Sequence, residues 1–281
     1  MKKSVIFGAT DSKFGDFTIN HWLKSLKENV NLSNTEIVIL DYGMNEEQIS
    51  KLKEQKVIIK KCVRNGHVTI IRYKDMKDFL NETKNRYDQV LATDAGDIIF
   101  QSDISELFNK DKTNFRVVCE TYNIFNFHNI YSKGMFIEED IKNMKELLKD
   151  RKMINVGIIF APVEEFLKIC DKFNSILIDK TKFGPEQVAL NYILYRDGNF
   201  KEIEEKYNYV ISTAANAFKI NDGKFYSNGE IIHIVHNTGW KSFLRPVKNF
   251  GYGKDFNKVK KGYLLALRTM AKTKKILKIP L

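Results

Sequence analysis

A chain of 281 residues, 43% of them apolar, is long enough for one large α/β domain or two modest ones around an ordinary buried core, and its composition excludes disordered and fibrous classes. Its net charge of +11 is localised: from Lys241 to Leu281 there are twelve basic residues and one acid, Asp255, whereas the first 240 residues carry 34 of each sign. The longest apolar run, near Val156 to Val163, falls far short of the ~20 residues of a bilayer span, Asp11 and Lys13 interrupt the start too early for a secretory signal, and Cys62, Cys119 and Cys170 are too scattered for a disulfide framework or a zinc site.

Ser4 to Ala9 predicts a buried first strand ending at Thr10-Asp11, and Phe17, Trp22, Leu23 and Leu26 follow at helical spacing. Glu36 to Leu40 predicts a second strand ending at Asp41, Asn45 to Gln55 a helix, and Lys56 to Lys60 a third short strand. Such alternation implies an α/β fold with right-handed crossovers and a mainly parallel central sheet covered on both faces. Ligands then belong at the carboxyl ends of the strands, where Thr10-Asp11, Asp41 and Asp94 to Asp97 fall. No Gly-x-Gly-x-x-Gly follows the first strand and there is no Walker loop, which argues against a dinucleotide dehydrogenase or a P-loop phosphotransferase.

Asp94-Ala95-Gly96-Asp97 closes the apolar run Val90-Leu91-Ala92 and opens Ile98-Ile99-Phe100. Two carboxylates this close repel unless Arg, Lys or a divalent cation stands between them. The alternative is a solvated turn, with Asp94 capping backbone donors and Gly96 supplying an unusual φ. The aromatic stretch within Thr121 to Lys152 (Tyr122, Phe125, Phe127, His128, Tyr131) predicts a loop or lid. Ile154 to Phe160 predicts one apolar strand carrying Asn155 and Gly157, whose amide pairs with backbone or faces a ligand hydroxyl. A helix is predicted from Glu164 to Ile178, and Gly184-Pro185-Glu186-Gln187 reads as another helix start, with Glu186 a cap or a catalytic group.

Ile231 to Val235 leads to His236, with Gly239, Trp240 and Lys241 beyond. His233 and His236 differ in odd-even phase, so one faces the site, and His236, which ends the strand, is the one assigned to it. Last, Val259, Tyr263, Leu264, Leu267, Met270 and Ala271 recur at helical spacing among lysines. This pattern divides the chain into a domain over residues 1–250 and a basic amphipathic tail over 251–281. The tail is predicted to lie on an anionic membrane surface, docking onto the domain being the alternative; nucleic acid is not expected as a partner.

In order and spacing along nearly the whole chain, these residues resemble the metal-dependent nucleotide-sugar glycosyltransferases of the A-type fold, and among them family 8, which includes bacterial lipopolysaccharide galactosyl- and glucosyltransferases. Thr10-Asp11 resembles that family's nucleotide-contacting strand end, Asp94 to Asp97 its Asp-x-Asp metal motif, and Asn155-x-Gly157 its sugar-binding strand. Glu186-Gln187 resembles its Asp-Gln pair, and His236-x-x-Gly239 with Lys241 its His-x-x-Gly-x-x-Lys segment. The resemblance implies a single Rossmann-like A-type domain in which Asp94, Asp97 and His236 hold Mn²⁺ or Mg²⁺. It assigns Thr10, Asp11, Asn155, Gly157, Gly239 and Lys241 to substrate, to which Asp41 is added by its place at a strand end, and Glu186 and Gln187 to catalysis, Gln187 lying near the anomeric carbon.

The implied reaction moves a hexose from a nucleotide-diphosphate sugar, a UDP-sugar, to a glycan or glycolipid acceptor with retention, in the cytoplasm or peripherally at the inner face of the cell membrane. Glu186 and Asp103 stay open as the base of an inverting enzyme. Two departures stand out: the metal motif is Asp-Ala-Gly-Asp, and Lys241 lies one residue closer to Gly239 than the family's lysine. Counted back from Asp103, the second metal aspartate falls on Asp97 and the first on Ala95, so either Asp94 replaces it through the reach that Gly96 gives or one contact is missing. Two other functions are the alternatives: a sugar-phosphate nucleotidyltransferase, for which Gly8 to Gly15 is a poor glycine-rich loop, and a non-catalytic membrane-surface binding protein.

Overall fold

A computed structural model of the chain describes residues 2–124, 134–239 and 245–277. Its strands in chain order begin with β1 (Lys3–Thr10), β2 (Thr35–Asp41), β3 (Ile58–Lys61), β4 (Tyr87–Thr93), β5 (Ile98–Phe100) and β6 (Phe115–Val117). They continue with β7 (Cys119–Ile124), β8 (Lys152–Ile154), β9 (Ile158–Pro162), β10 (Phe200–Glu202) and β11 (Tyr209–Val210). The seven-stranded central sheet has the order β10-β6-β9-β4-β1-β2-β3, and β9 alone runs against the rest.

Alternation along the strands explains why their apolar runs are unbroken. Val5 and Phe7, Val38 and Leu40, and Val90 and Ala92 enter one core, whereas Ile6, Ile37 with Ile39, and Leu91 enter another on the opposite face. A strand wet on neither face needs apolar residues at both parities. The first core is closed by the helices Val68–Glu82, Val163–Ile176 and Pro185–Asp197, through Tyr73, Phe166, Phe173 and Leu190. The second is closed by the first helix of the chain, through Trp22, Leu23 and Leu26.

That first helix is continuous from α1 (Ser12–Phe17) through a π-helical turn, Thr18–Leu23, to α2 (Lys24–Asn29). The wider turn sets Thr18 and Trp22 beneath the segment after β4. The Thr18 hydroxyl lies 3.1 Å from the Ala95 carbonyl oxygen, and the Trp22 indole N–H donates to Thr93 Oγ1 at 2.9 Å. Next, α3 (Glu46–Glu54) begins with a reciprocal capping box between Asn45 and Gln48, and α4 spans Val68–Glu82.

The strand predicted from Ile154 to Phe160 is two strands. Lys152–Ile154 pairs with β7 and Ile158–Pro162 with β4, so Asn155-Val156-Gly157 is the crossing between two sheets. The segment near His236 is broken likewise, into β14 (Glu230–Ile231), after the hairpin β12 (Phe218–Asn221) and β13 (Lys224–Ser227), and β15 (Ile234–His236). Strand β15 lies between β11 and β5 in a small sheet of its own. The remaining pair, β16 (Val247–Lys248) and β17 (Lys258–Val259), is a hairpin that straddles residue 250, and its connection packs against His21.

The C-terminal helix, Lys261–Leu277, divides the predicted apolar stripe. Leu264 is buried in a third cluster with Tyr209, Phe225 and Val235, and Arg268 donates to Tyr209 Oη at 3.1 Å and to the Ile211 carbonyl at 3.3 Å. Val259 belongs to β17 rather than to the helix, whereas Leu265 and Met270 face outward, 69% and 53% exposed. Among the described residues no helix is long and apolar enough to cross a membrane.

Candidate active site

The ends of five strands meet beside the carboxyl rim of the central sheet. Strand β4 ends at Thr93 and delivers Asp94, whose N–H donates to the Gly157 carbonyl at 2.9 Å just before β9 begins. Strand β5 starts after Asp97, and its antiparallel register with β15 sets Ile98 opposite His236. The parallel pairing of β11 with β15 brings Asn208, the residue before β11, beside the same histidine. These ends open on a cleft of about 730 Å³.

Ligand atoms of Asp94, Asp97 and His236 all lie within 4.8 Å of one another. His236 Nε2 is 3.7 Å from Asp94 Oδ2 and 3.4 Å from Asp97 Oδ1. The far oxygen of each carboxylate is held by an arginine: Arg72 Nη1 pairs with Asp94 Oδ1, and Arg245 Nη2 lies 3.0 Å from Asp97 Oδ2. The carboxylates therefore turn their remaining oxygens toward the imidazole.

Behind His236 stands a buried relay of amides. Its Nδ1 is 3.0 Å from Asn208 Oδ1, Asn208 Nδ2 donates to Asn155 Oδ1 at 3.0 Å, and Asn155 Nδ2 donates to Glu120 Oε1 at 2.6 Å. An amide oxygen only accepts, so in this network Nδ1 carries the proton and Nε2 faces two carboxylate oxygens. A lone pair there needs a positive charge between it and the carboxylates, either a proton or a cation. Burial works to lower the His236 pKa, but Asp97, followed by Asp94, holds it above the ordinary imidazole value. Burial works to raise the Asp97 pKa, but His236, then Arg245 and Arg72, holds that carboxyl below its ordinary range. Two carboxylates and an imidazole whose other nitrogen is fixed by a second-shell partner fit a divalent cation.

Gly157 makes the close approach possible. A Cβ on it would come within 2.4 Å of His236 Cε1 and 2.9 Å of Asp94 Oδ2. Gly157 N also donates to Asn155 Oδ1 at 3.0 Å, which ties the crossing between the two sheets to the relay.

The other sequence-predicted residues divide. Thr10 and Asp11 line the cleft; Asp11 Oδ1 caps α1, accepting from Lys13 N and Phe14 N, while Oδ2 pairs with Arg64 at 2.9 Å. Glu186 and Gln187, at the start of the helix Pro185–Asp197, line it too. Burial pushes the Glu186 carboxyl above its ordinary value, and its Oε2 accepts from Gly184 N at 3.1 Å. The Gln187 side-chain amide is bonded to the Ile154 carbonyl. Gly239 lies against Arg245 on the cleft wall, and Lys241 and most of the aromatic stretch fall outside the described residues.

Asp41 stands on the same rim, level with Thr10 at the end of β2, but outside the cleft. Its carboxylate is used by the turn after β2, accepting from Gly43 N at 2.9 Å and Met44 N at 2.7 Å, and it is not among the cleft-lining residues. Asp103 is likewise outside the cleft, bonded to the N–H groups of Asn31 and Ser105. Four residues were missed: Arg72, Glu120, Asn208 and Arg245. Arg72 left a signal, a lone charge between Ile70-Ile71 and Tyr73, and so did Glu120, an acid closing the apolar run Val117-Val118-Cys119.

The sequence matches no protein-family model and no curated protein. Solved structures resemble the fold: an active-site mutant of LgtC has a TM-score of 0.56 at 14% identity, with 94% of each chain covered. The galactosyltransferase LgtC in complex with donor and acceptor sugar analogs gives 0.52 at 13% identity, covering 96% of this chain and 95% of that one. The apo-form glycosyltransferase GlyE of Streptococcus pneumoniae TIGR4 gives 0.54 at 16% identity, covering 99% of this chain and 64% of GlyE. The fold is that of the A-type glycosyltransferases.

Proposed function

We propose that this chain is a metal-dependent glycosyltransferase that moves a hexose from a nucleotide-diphosphate sugar, a UDP-sugar, to a glycan or glycolipid acceptor with retention of configuration. The observation that carries this reading is His236, whose Nε2 faces the inner oxygens of Asp94 and Asp97 while Asn208 holds Nδ1. That donor set suits Mn²⁺ or Mg²⁺, the nitrogen favouring Mn²⁺. A cation bound there supplies charge stabilisation to the departing diphosphate.

The chain's own groups do the rest. Thr10 and Asp11 take the nucleotide side of the cleft. Asn155, oriented by Glu120 and Asn208, and Glu186 meet donor hydroxyls, with Gly157 leaving room beside them. Gln187, anchored on the Ile154 carbonyl, stands toward the anomeric carbon, and Gly239 on the cleft wall is assigned to the diphosphate together with Lys241, the latter by the resemblance alone. Retention is what the resemblance to family 8 implies; Asp103, one candidate base of an inverting enzyme, is not among the cleft-lining residues.

Incubating the protein with a panel of nucleotide-diphosphate sugars tests this without knowledge of the acceptor. With Mn²⁺, slow release of UDP from one donor is expected, and EDTA should reduce it roughly 100-fold or more, the equivalent of several kcal/mol of lost charge stabilisation. No turnover and no metal-dependent binding of any donor would defeat the proposal.

The tail belongs to the same proposal, as a contact with an anionic membrane surface that presents a lipid-linked acceptor at the inner face of the cell membrane. Its support is the outward pair Leu265 and Met270 on a lysine-rich helix whose inner side is docked through Leu264. Flotation with anionic vesicles should recover the wild type, and the double variant Leu265→Ser/Met270→Ser should stay in the unbound fraction. Equal flotation of both would count against the membrane contact.

A further inference from the structure

The two arginines at the carboxylate pair are not equivalent. The Arg72 side chain is 6% exposed and comes from the interior of α4, where it is enclosed by Asp94 and the neighbourhood of Glu186. Arg245 is 18% exposed and lines the cleft. Its Nη2 is 3.0 Å from Asp97 Oδ2, its Nη1 is 3.3 Å from the Gly96 carbonyl, and its Nε, like that of Arg72, is buried with no partner among the described residues. A guanidinium offers five donors in a planar fork, so much of the donor capacity of Arg245 is unused.

Charge gives that spare capacity a purpose. With Arg72 on Asp94 and Arg245 on Asp97, the two carboxylates are balanced one for one. A divalent cation among Asp94, Asp97 and His236 adds positive charge beside Arg245 and competes for the same carboxylate. A diphosphate restores the balance, and its oxygens match the guanidinium fork better than a single carboxylate oxygen does. We propose that Arg245 is the exchangeable counter-ion of this site, paired with Asp97 before loading and with the diphosphate of the nucleotide ligand after it. The inference rests on reading the cleft as a nucleotide-diphosphate-sugar site and adds to it a residue and a role.

Exchange predicts effects of opposite sign from one substitution, which loss of a structural contact does not. The full chain is titrated with Mn²⁺ alone, read as free Mn²⁺ by electron paramagnetic resonance. It is then titrated calorimetrically with UDP, GDP, ADP and their monophosphates at saturating Mn²⁺. In Arg245→Ala, Mn²⁺ alone should bind roughly threefold to tenfold tighter, because a competing positive charge is gone. The best-bound diphosphate should bind roughly 10- to 100-fold weaker, the loss of charge-assisted hydrogen bonds, with the monophosphate affected less. Arg245→Lys keeps the charge and loses the fork, so Mn²⁺ affinity should stay near wild type and diphosphate affinity should be intermediate.

Affinities for Mn²⁺ and diphosphate that both fall in Arg245→Ala, or that both stay within twofold of wild type, overturn the exchange. Failure of the wild type to bind any nucleoside diphosphate with Mn²⁺ overturns the reading of the cleft, and this inference with it. That outcome is seen before any variant is made.

Discussion

Gly157→Ala should remove cation binding while leaving the protein folded. The added methyl would sit 2.4 Å from His236 Cε1, 2.9 Å from Asp94 Oδ2 and 3.1 Å from Asn155 Oδ1, so three groups of the site would have to move at once. None can yield easily. His236 is held through Nδ1 by Asn208, Asp94 is held by Arg72, and Asn155 is held by Glu120. Displacements near 1 Å at a reacting centre cost on the order of 100-fold, and Mn²⁺ affinity and donor hydrolysis should both fall by about that much. Overpacking costs about 1–3 kcal/mol, leaving most of an ordinary domain's stability in place. Titration with Mn²⁺ beside a thermal melt separates the two effects. An alanine variant that binds Mn²⁺ within threefold of wild type would show that the close approach at Gly157 does not shape the site.

The largest loss of stability should come from Trp22→Ala. Trp22 is fully buried, its indole N–H donates to Thr93 Oγ1, and its ring meets Phe100 edge-on with centroids 6.1 Å apart. Truncating a buried Trp costs about 3–5 kcal/mol, a large share of the ~5–15 kcal/mol that holds a typical protein folded. The midpoint of thermal unfolding should fall by roughly 5–10 °C. Trp22→Phe retains most of the packing and loses the hydrogen bond, so a decrease of about 1–2 kcal/mol is expected. Thr93 precedes Asp94, so Trp22→Phe should also weaken Mn²⁺ binding. A Trp22→Ala midpoint within 2–3 °C of wild type, on the order of 1 kcal/mol, would contradict the packing argument.

What could be read in the sequence follows from the range over which each residue is decided. Strands β1, β2 and β4 were legible because both parities are apolar, and that is a local property of Val5-Ile6-Phe7 or Val90-Leu91-Ala92. The grouping of Asp94, Asp97 and His236 was legible through the resemblance to family 8, whose motifs these residues match in order, and the three do lie together. Asp41 shows the limit of reading a site from strand ends, since its Oδ1 accepts from two backbone N–H groups of its own turn and the residue does not line the cleft. The break at Asn155-Val156-Gly157 was not visible, because an apolar run does not show that its halves pair with different partners, Lys152–Ile154 with β7 and Ile158–Pro162 with β4. Asn208 left no local signal, because its importance lies in meeting His236 and Asn155, both distant in sequence. The tail was legible as a helix, but its inner face was not, because Leu264 and Arg268 are decided by what Tyr209 and Ile211 offer them.

The pairing of β5 with β15 also bears on the order of assembly. Asp97 and His236 are joined by a register that closes a loop of well over a hundred residues, whereas β1, β2 and β3 associate across short connections. Loop-closure entropy delays such distant pairings, so the cluster is completed after most of the central sheet already has its partners. A divalent cation then has no complete set of ligands to bind in a partly folded chain. The binding energy of a cation held by these three residues would act as a lock on the finished protein, raising resistance to unfolding without guiding the chain toward the fold.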